Sequence, residues 1–219
     1  RNSLDAVLAE MSYITSYIDN GYVSLAVEPA VYGEISNIRE LRWYSEQATS
    51  EDYANLWVLT TDIDAAETAR WNLTDAEGRL GFRPINAAGD NSLLHFDGQY
   101  HIISGLHMTK VGGGGDADRS GVFTITGNNS SIKNLGVINV RIATSPSAGA
   151  NSQGGILAGR ISAGTQVENC FSEGSYSGAG ADGSGFIGRT NNLQPFPGFD
   201  GYIRNCFSVS DVDAATGRS

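Results

Sequence analysis

The sequence predicts an all-β fold, a right-handed parallel β-helix preceded by a small helical N-terminal region. Three observations predict it: a short motif that recurs along the second half of the chain, a glycine signature that recurs with it, and a composition suited to tight turns. Of 219 residues, 40% are hydrophobic, 17% are charged and 28 are glycine. The glycine share is nearly twice the usual ~7%. Gly and Asn are the residues that accept a positive φ at sharp corners.

The recurring motif is an aliphatic residue, any residue, Asn or Gly, then Leu or Cys. It appears at Ile103-Ser104-Gly105-Leu106, Ile132-Lys133-Asn134-Leu135, Val167-Glu168-Asn169-Cys170 and Ile203-Arg204-Asn205-Cys206. The glycine signature precedes the last three, at Gly121-Val122-Phe123, Gly155-Ile156-Leu157 and Gly185-Phe186-Ile187. A constant motif at variable spacing is expected of a solenoid whose loops differ in length. Stacked coils lie ~4.8 Å apart, so like residues should stand over like residues. The asparagines should form an amide ladder. Cys170 and Cys206 should be stacked neighbours, read as small buried side chains more readily than as a disulfide.

Upstream, residues 3–20 read as a helix, with Leu4, Val7, Leu8, Met11, Ile14 and Ile18 at three- and four-residue spacing and Ser3 as N-cap. Residues 35–49 carry a second helical pattern through Ile35, Ile38, Leu41 and Tyr44. Residues 56–64 are strand-like, with Trp57 and Leu59 on one side. The expected division is a helical region over 1–54 and a β-helix over 55–219. The last coil has no capping segment in the sequence, so the β-helix is expected to be incomplete there or covered by a partner.

The residues from Gly155-Ile-Leu-Ala-Gly-Arg to Val167-Glu-Asn-Cys-Phe-Ser resemble the GLUG repeat, as do Gly185-Phe-Ile-Gly-Arg and Ile203-Arg-Asn-Cys-Phe-Ser. Leu59-Thr-Thr-Asp-Ile-Asp, Phe82-Arg-Pro-Ile and the stretch from Phe96 to Leu106 resemble coils that often lead into such repeats. The resemblance covers about residues 55–213. It implies a β-helix of large bacterial surface proteins, including adhesins and surface peptidases, in which the repeats are scaffold. It therefore implies an extracellular or cell-surface location and a glycan or protein ligand. The Gly121 repeat departs from the pattern, lacking the second glycine and carrying Leu135 in place of Cys.

Charge and composition exclude some functions. A net charge of −10 repels phosphate backbones and disfavours nucleic acid as a partner. No stretch approaches the ~20 apolar residues of a transmembrane helix. Asp62 and Asp64, two apart on a predicted strand, are candidate calcium ligands; the alternative is that they cap the first coil's turn. No other cofactor is expected. Gly112-Gly-Gly-Gly-Asp-Ala-Asp118 departs from the calcium β-roll nonapeptide at Ala117 and occurs once, so it reads as a loop. His95, His101 and His107 recur every six residues, but Asp97-Gly98 and Gly105 should turn the chain between them, which points to structural histidines.

The leading functional expectation is a non-catalytic scaffold or adhesion module. The alternatives are a carbohydrate-active β-helix enzyme (a polysaccharide lyase or glycoside hydrolase) and a subunit of an extracellular fibre. A hydrolase needs two carboxylates at a defined separation. Asp97, Glu168, Glu173 and Asp182 are available, but no spacing marks two of them as a pair. Lys133, Glu168 and Arg204 share one repeated outward position, as a solvated face would. No Gly-x-Ser-x-Gly elbow is present. The segment 190–201 is an insertion expected to pack on the coil flank or bind a partner.

Overall fold

The computed structural model of the chain describes residues 25–71, 79–86, 92–110, 119–144, 153–179, 182–190 and 201–215. The predicted helix over 3–20, the Gly112–Asp118 segment and most of the 190–201 insertion lie outside them. The described residues form a parallel β-solenoid of about 3 turns.

One full coil shows the plan. Strand β10 (Ser131–Lys133) ends at a corner, β11 (Gly136–Thr144) lines the second face, and β12 (Gln153–Gly155) and β13 (Ala158–Ile161) make the third. The next coil repeats it with β14 (Gln166–Glu168), β15 (Phe171–Ala179), β16 (Asp182–Ser184) and β17 (Ile187–Thr190). A last partial coil contributes β18 (Tyr202–Arg204) and β19 (Phe207–Ala215). Before them lie β5 (His95–Asp97), β6 (Ile102–Ser104), β7 (His107–Lys110), β8 (Arg119–Ser120) and β9 (Phe123–Ile125). The earliest strands are β1 (Glu34–Ile35), β2 (Leu56–Leu59), β3 (Ile63–Asp64) and β4 (Arg79–Gly81).

Like strands stack in parallel. The first sheet runs β1-β2-β5-β10-β14-β18, and the second joins β3, β6, β11, β15 and β19, with β7 also on β11. The third face is two three-stranded sheets, β8-β12-β16 and β9-β13-β17. Among the described pairings only β4 with β7 is antiparallel. The core is a set of columns. In one, Trp57, Phe96, Ile132, Val167 and Ile203 stand in register, the first four fully buried. Burial of an aliphatic side chain this way contributes ~1.5–3 kcal/mol each. The glycine signature falls at the corner within the third face. A Cβ on Gly155 would lie 2.6 Å from Ala158 O, Gly188 N and Phe186 O, so the coils can close there only without a side chain.

The amide ladder forms as expected. Asn134, Asn169 and Asn205 have φ of 51°, 53° and 54° and turn the chain between the first and second faces. Asn205 Nδ2 donates to Asn169 Oδ1 (3.1 Å), Asn169 Nδ2 to Asn134 Oδ1 (2.8 Å), and Asn134 Nδ2 to Asp97 Oδ1 (3.0 Å). Cys170 and Cys206 follow in the next position, both as free thiols, one buried and one half-buried.

One alignment differs from the sequence reading. Ile103-Ser104-Gly105-Leu106 does not stack under Ile132-Lys133-Asn134-Leu135. Ile103 pairs with Val137, and Ile132 pairs with Phe96. The coil has a second bend, on the second face, where Gly105 (φ 77°) lies beneath Asn139 (φ 53°). Both bends place a left-handed residue after an aliphatic strand, so the local sequences look alike. With the correct partners the irregular spacing disappears: His95 and Ser131, hydrogen-bonded neighbours in the first sheet, are 36 residues apart.

The helical pattern over 35–49 holds one helix, and a second, shorter one follows it. Ile35 belongs to β1, α1 spans Ile38–Glu46 and α2 spans Ser50–Ala54. Asn37 caps α1 by accepting from Arg39 N and Glu40 N, and Thr49 with Asp52 forms a capping box on α2. Both helices sit on the first sheet through aromatic rings. Tyr44 lies 4.6 Å from Trp57 and 5.9 Å from Phe96. Tyr53 donates its hydroxyl to Tyr44 O, and burial pushes its phenol up to about 12. Arg42 lies over Trp71 at 4.5 Å and pairs with Glu46.

Candidate functional site

Most polar residues singled out in the sequence are engaged in holding coils together. Asp62 Oδ1 accepts the Ile102 N–H (2.9 Å) and lies 3.1 Å from His101 Nδ1. These contacts, the Ile102 amide first, hold its carboxyl below the usual range. Asp64 Oδ1 accepts the Ala66 N–H (3.0 Å) at the start of the next turn. The two carboxylates thus cap separate backbone groups. Among the described residues no three His, Cys, Asp or Glu side chains cluster as metal ligands would.

The histidines part company. His95 lies on β5 with Nδ1 2.9 Å from Ser131 Oγ, His101 sits at the corner with Asp62, and His107 lies on β7 beneath Arg141. Burial, and then the charge of Lys133 or Arg141, lowers the pKa of His95 and His107 below 6.5. Protonation therefore favours the unfolded chain. This contribution to stability is fully present above pH 6.5 and is lost as pH falls below it. Thermal unfolding followed from pH 7.5 to pH 5 is expected to show a falling midpoint, and the His95→Gln, His107→Gln double variant a flatter profile over that interval.

On the first sheet's outer face, Asp97, Lys133, Glu168 and Arg204 form one column in register. Charge alternates along it. Arg204 Nη2 reaches Glu168 Oε1 at 2.6 Å, and Tyr202 donates its hydroxyl to Glu168 Oε2 (3.2 Å). The arginine chiefly, with the tyrosine, holds Glu168 below the ordinary glutamate range. A carboxylate kept ionised in this way is a poor general acid. Glu168 and Asp97, two of the four candidate acids, are therefore ladder members. Asp182 begins β16 on the third face.

The fourth acid, Glu173, leads to a concave site. A groove of about 400 Å³ crosses β11, β15 and β19 on the outer side of the second face. Its origin is a β-bulge. Val137 pairs with Ser172 but Val140 pairs with Gly174, so Ile138 and Asn139 together face Glu173. Gly174 is required beneath the bulge, because a Cβ there would run into Val140 O. Strands β6–β7 and β11 bend at Gly105 and Asn139, whereas β15 and β19 pair straight through nine residues. The groove lies where the bend lapses. Bulges of this kind re-aim side chains and are frequent beside binding sites.

Arg141, Ser175 and Asp211 line the groove from one register column, with Asn139 and Glu173 beside them. The side chains of Arg141, Glu173 and Asp211 are exposed and, among the described residues, have no ion-pair or hydrogen-bond partner. The site thus offers a guanidinium donor, two carboxylate acceptors, an amide and a hydroxyl on a rigid sheet. Arg141, Asn139 and Asp211 went unnoticed in the sequence, because a bulge changes which residues share a face and no short motif marks one.

No family model, curated protein or solved structure matches the chain.

Proposed function

We propose that this chain is a non-catalytic scaffold or adhesion module of a bacterial surface protein, of the GLUG-repeat type, working outside the cell. The observation that supports it most is how the chemistry-bearing side chains are used. Asn134, Asn169, Asn205, Asp62, Asp97 and Glu168 each hold one coil to the next. The groove over β11, β15 and β19 is where such a module would meet its ligand. Its unpaired donors and acceptors suit the hydroxyls of a glycan, each of which both donates and accepts.

The test is a binding screen of the purified protein against neutral and acidic oligosaccharides, with reducing ends and unsaturated products monitored alongside. Saturable binding without turnover is expected. Arg141→Ala should weaken binding at least about tenfold, or ~1.4 kcal/mol, with the unfolding midpoint unchanged. One observation favours a carbohydrate-active enzyme as the second reading: Glu173 and Asp211 lie on neighbouring strands in the same groove. Turnover that is lost in both Glu173→Gln and Asp211→Asn would establish that reading in place of the first.

A further inference from the structure

We propose that the corner between β5 and β6 is a docking site for an arginine side chain of a partner protein, with Tyr100 as the platform for its guanidinium and Asp62 as the carboxylate beside it. This inference is independent of the groove and of its ligand.

The corner is longer than coil stacking requires. Asp97 and Ile102 lie in register with Lys133 and Gly136 of the next coil. Asn134 and Leu135 alone join the latter two, and the later corners, Asn169-Cys170 and Asn205-Cys206, are equally short. Between Asp97 and Ile102 the chain instead runs Gly98-Gln99-Tyr100-His101. Gln99 and Tyr100 are thus an insertion into a corner that the other coils make without one. His101 N donates to Gly98 O (2.8 Å), which closes the insertion as a tight turn with φ of 53° at Gln99 and 66° at Tyr100. Two successive left-handed residues are adopted most readily by Asn-Gly. A tyrosine in that conformation is strained, because its Cβ crowds the following carbonyl.

The strain does not serve the core. Tyr100 is 75% exposed, more than any other large hydrophobic side chain among the described residues. Its ring and hydroxyl have no partner among those residues. Strained residues held by a rigid frame cluster at ligand contacts, and tyrosine is a favoured anchor at protein interfaces.

The groups beside the ring select the ligand. His101 follows Tyr100, and its Nδ1 lies 3.1 Å from Asp62 Oδ1. A carboxylate only accepts, so the imidazole donates from Nδ1, and in its neutral form it offers Nε2 as an acceptor. Asp62 uses Oδ1 for both His101 and the Ile102 amide. Its side chain is 70% exposed, and Oδ2 has no partner among the described residues. An aromatic face beside acceptors and a carboxylate attracts a cation. Arginine fits better than lysine, since its planar guanidinium stacks on a ring and donates to a carboxylate from a fixed fork. The chain's net charge of −10 favours the approach of a basic partner.

The experiment titrates the whole isotope-labelled protein with the peptide acetyl-Gly-Arg-Gly-amide and with its lysine and citrulline analogues, followed by amide NMR. Saturable shifts at Gln99, Tyr100 and His101 are expected with arginine. Lysine should bind more weakly, and citrulline, which keeps the planar shape without the charge, should not bind. Tyr100→Gly should weaken the arginine peptide at least about threefold. The same variant should raise the unfolding midpoint, because glycine removes the strain. Asp62→Asn keeps an acceptor for the Ile102 amide and should also weaken the peptide. The proposal is overturned if the corner amides do not saturate, if citrulline or lysine binds as well as arginine, or if either variant binds unchanged. A lowered midpoint in Tyr100→Gly would overturn it as well, by making the tyrosine a structural part of the turn.

Discussion

Replacing Trp57 with Ala is expected to cost about 3–5 kcal/mol, the range for large aromatic side chains truncated in a core. Trp57 is fully buried where the helices meet the first coil. Its ring lies 4.6 Å from Tyr44, 5.2 Å from Tyr32 and 5.9 Å from Trp43, and its Nε1 donates to Asp52 O at 2.7 Å. It also stands over Phe96 as the first member of a column that runs to Ile203. The cavity would therefore loosen both the helix-to-sheet contact and the first stacking step. Urea unfolding followed by far-UV circular dichroism reads the loss. Trp57→Phe keeps a ring but not the indole N–H, and is expected to cost about 1–2 kcal/mol, from lost volume and the loss of one of the two hydrogen bonds that Asp52 O accepts, the other coming from Asn55 N. Hydrogen exchange separates the two effects. In Trp57→Ala the amides of α1 and α2 should lose more protection than those of β14 and β15. Equal loss throughout would mean that helices and coils unfold as one unit. A midpoint unchanged from the parent would contradict the packing role altogether.

The second large effect is expected at Asn169, the middle rung of the amide ladder. Asn169→Ala combines two losses. An alanine held at φ 53° pays the steric penalty of a left-handed residue, about 1–2 kcal/mol. The ladder hydrogen bonds to Asn134 and from Asn205 go as well, for about another 1–2 kcal/mol in total at this half-exposed corner. Asn169→Gly removes the hydrogen bonds but not the backbone's freedom to turn, and adds only a small entropic cost in the unfolded chain. It should be about 1 kcal/mol more stable than the alanine variant. Denaturation midpoints of the two variants test this directly. Equal destabilisation would mean that backbone conformation contributes little at the corner, and two unchanged midpoints would remove the ladder as a source of stability.

The same corner shows why part of the fold is legible in the sequence. A solenoid interior repeats, so Ile132, Val167 and Ile203 must be aliphatic and Asn134, Asn169 and Asn205 must tolerate a positive φ. That requirement recurs at each coil and surfaces as a motif. The segment at Ile103 resembles the other three because Gly105 meets the same local requirement at a different bend, although Ile103 lies beside Val137 and not beside Ile132. Local sequence reports the backbone angle but not which strand lies above. Asp62 and Asp64 illustrate the same limit: their spacing names no partner, and the structure places Asp62 on the Ile102 amide and Asp64 on the Ala66 amide.

The parallel β-solenoid, the corner asparagines and the stacked free cysteines could be read from the sequence. These follow from side-chain type and period, which are properties of single residues and their near neighbours. The register of the folded chain was needed for the neighbour of Ile103, for the place of Asp97 beneath Lys133 in the charged column, and for the groove that unites Arg141, Glu173 and Asp211. Each of those depends on register between strands some 35 residues apart. A one-residue bulge at Asn139 is enough to change it, because a side chain's face alternates with every residue along a strand.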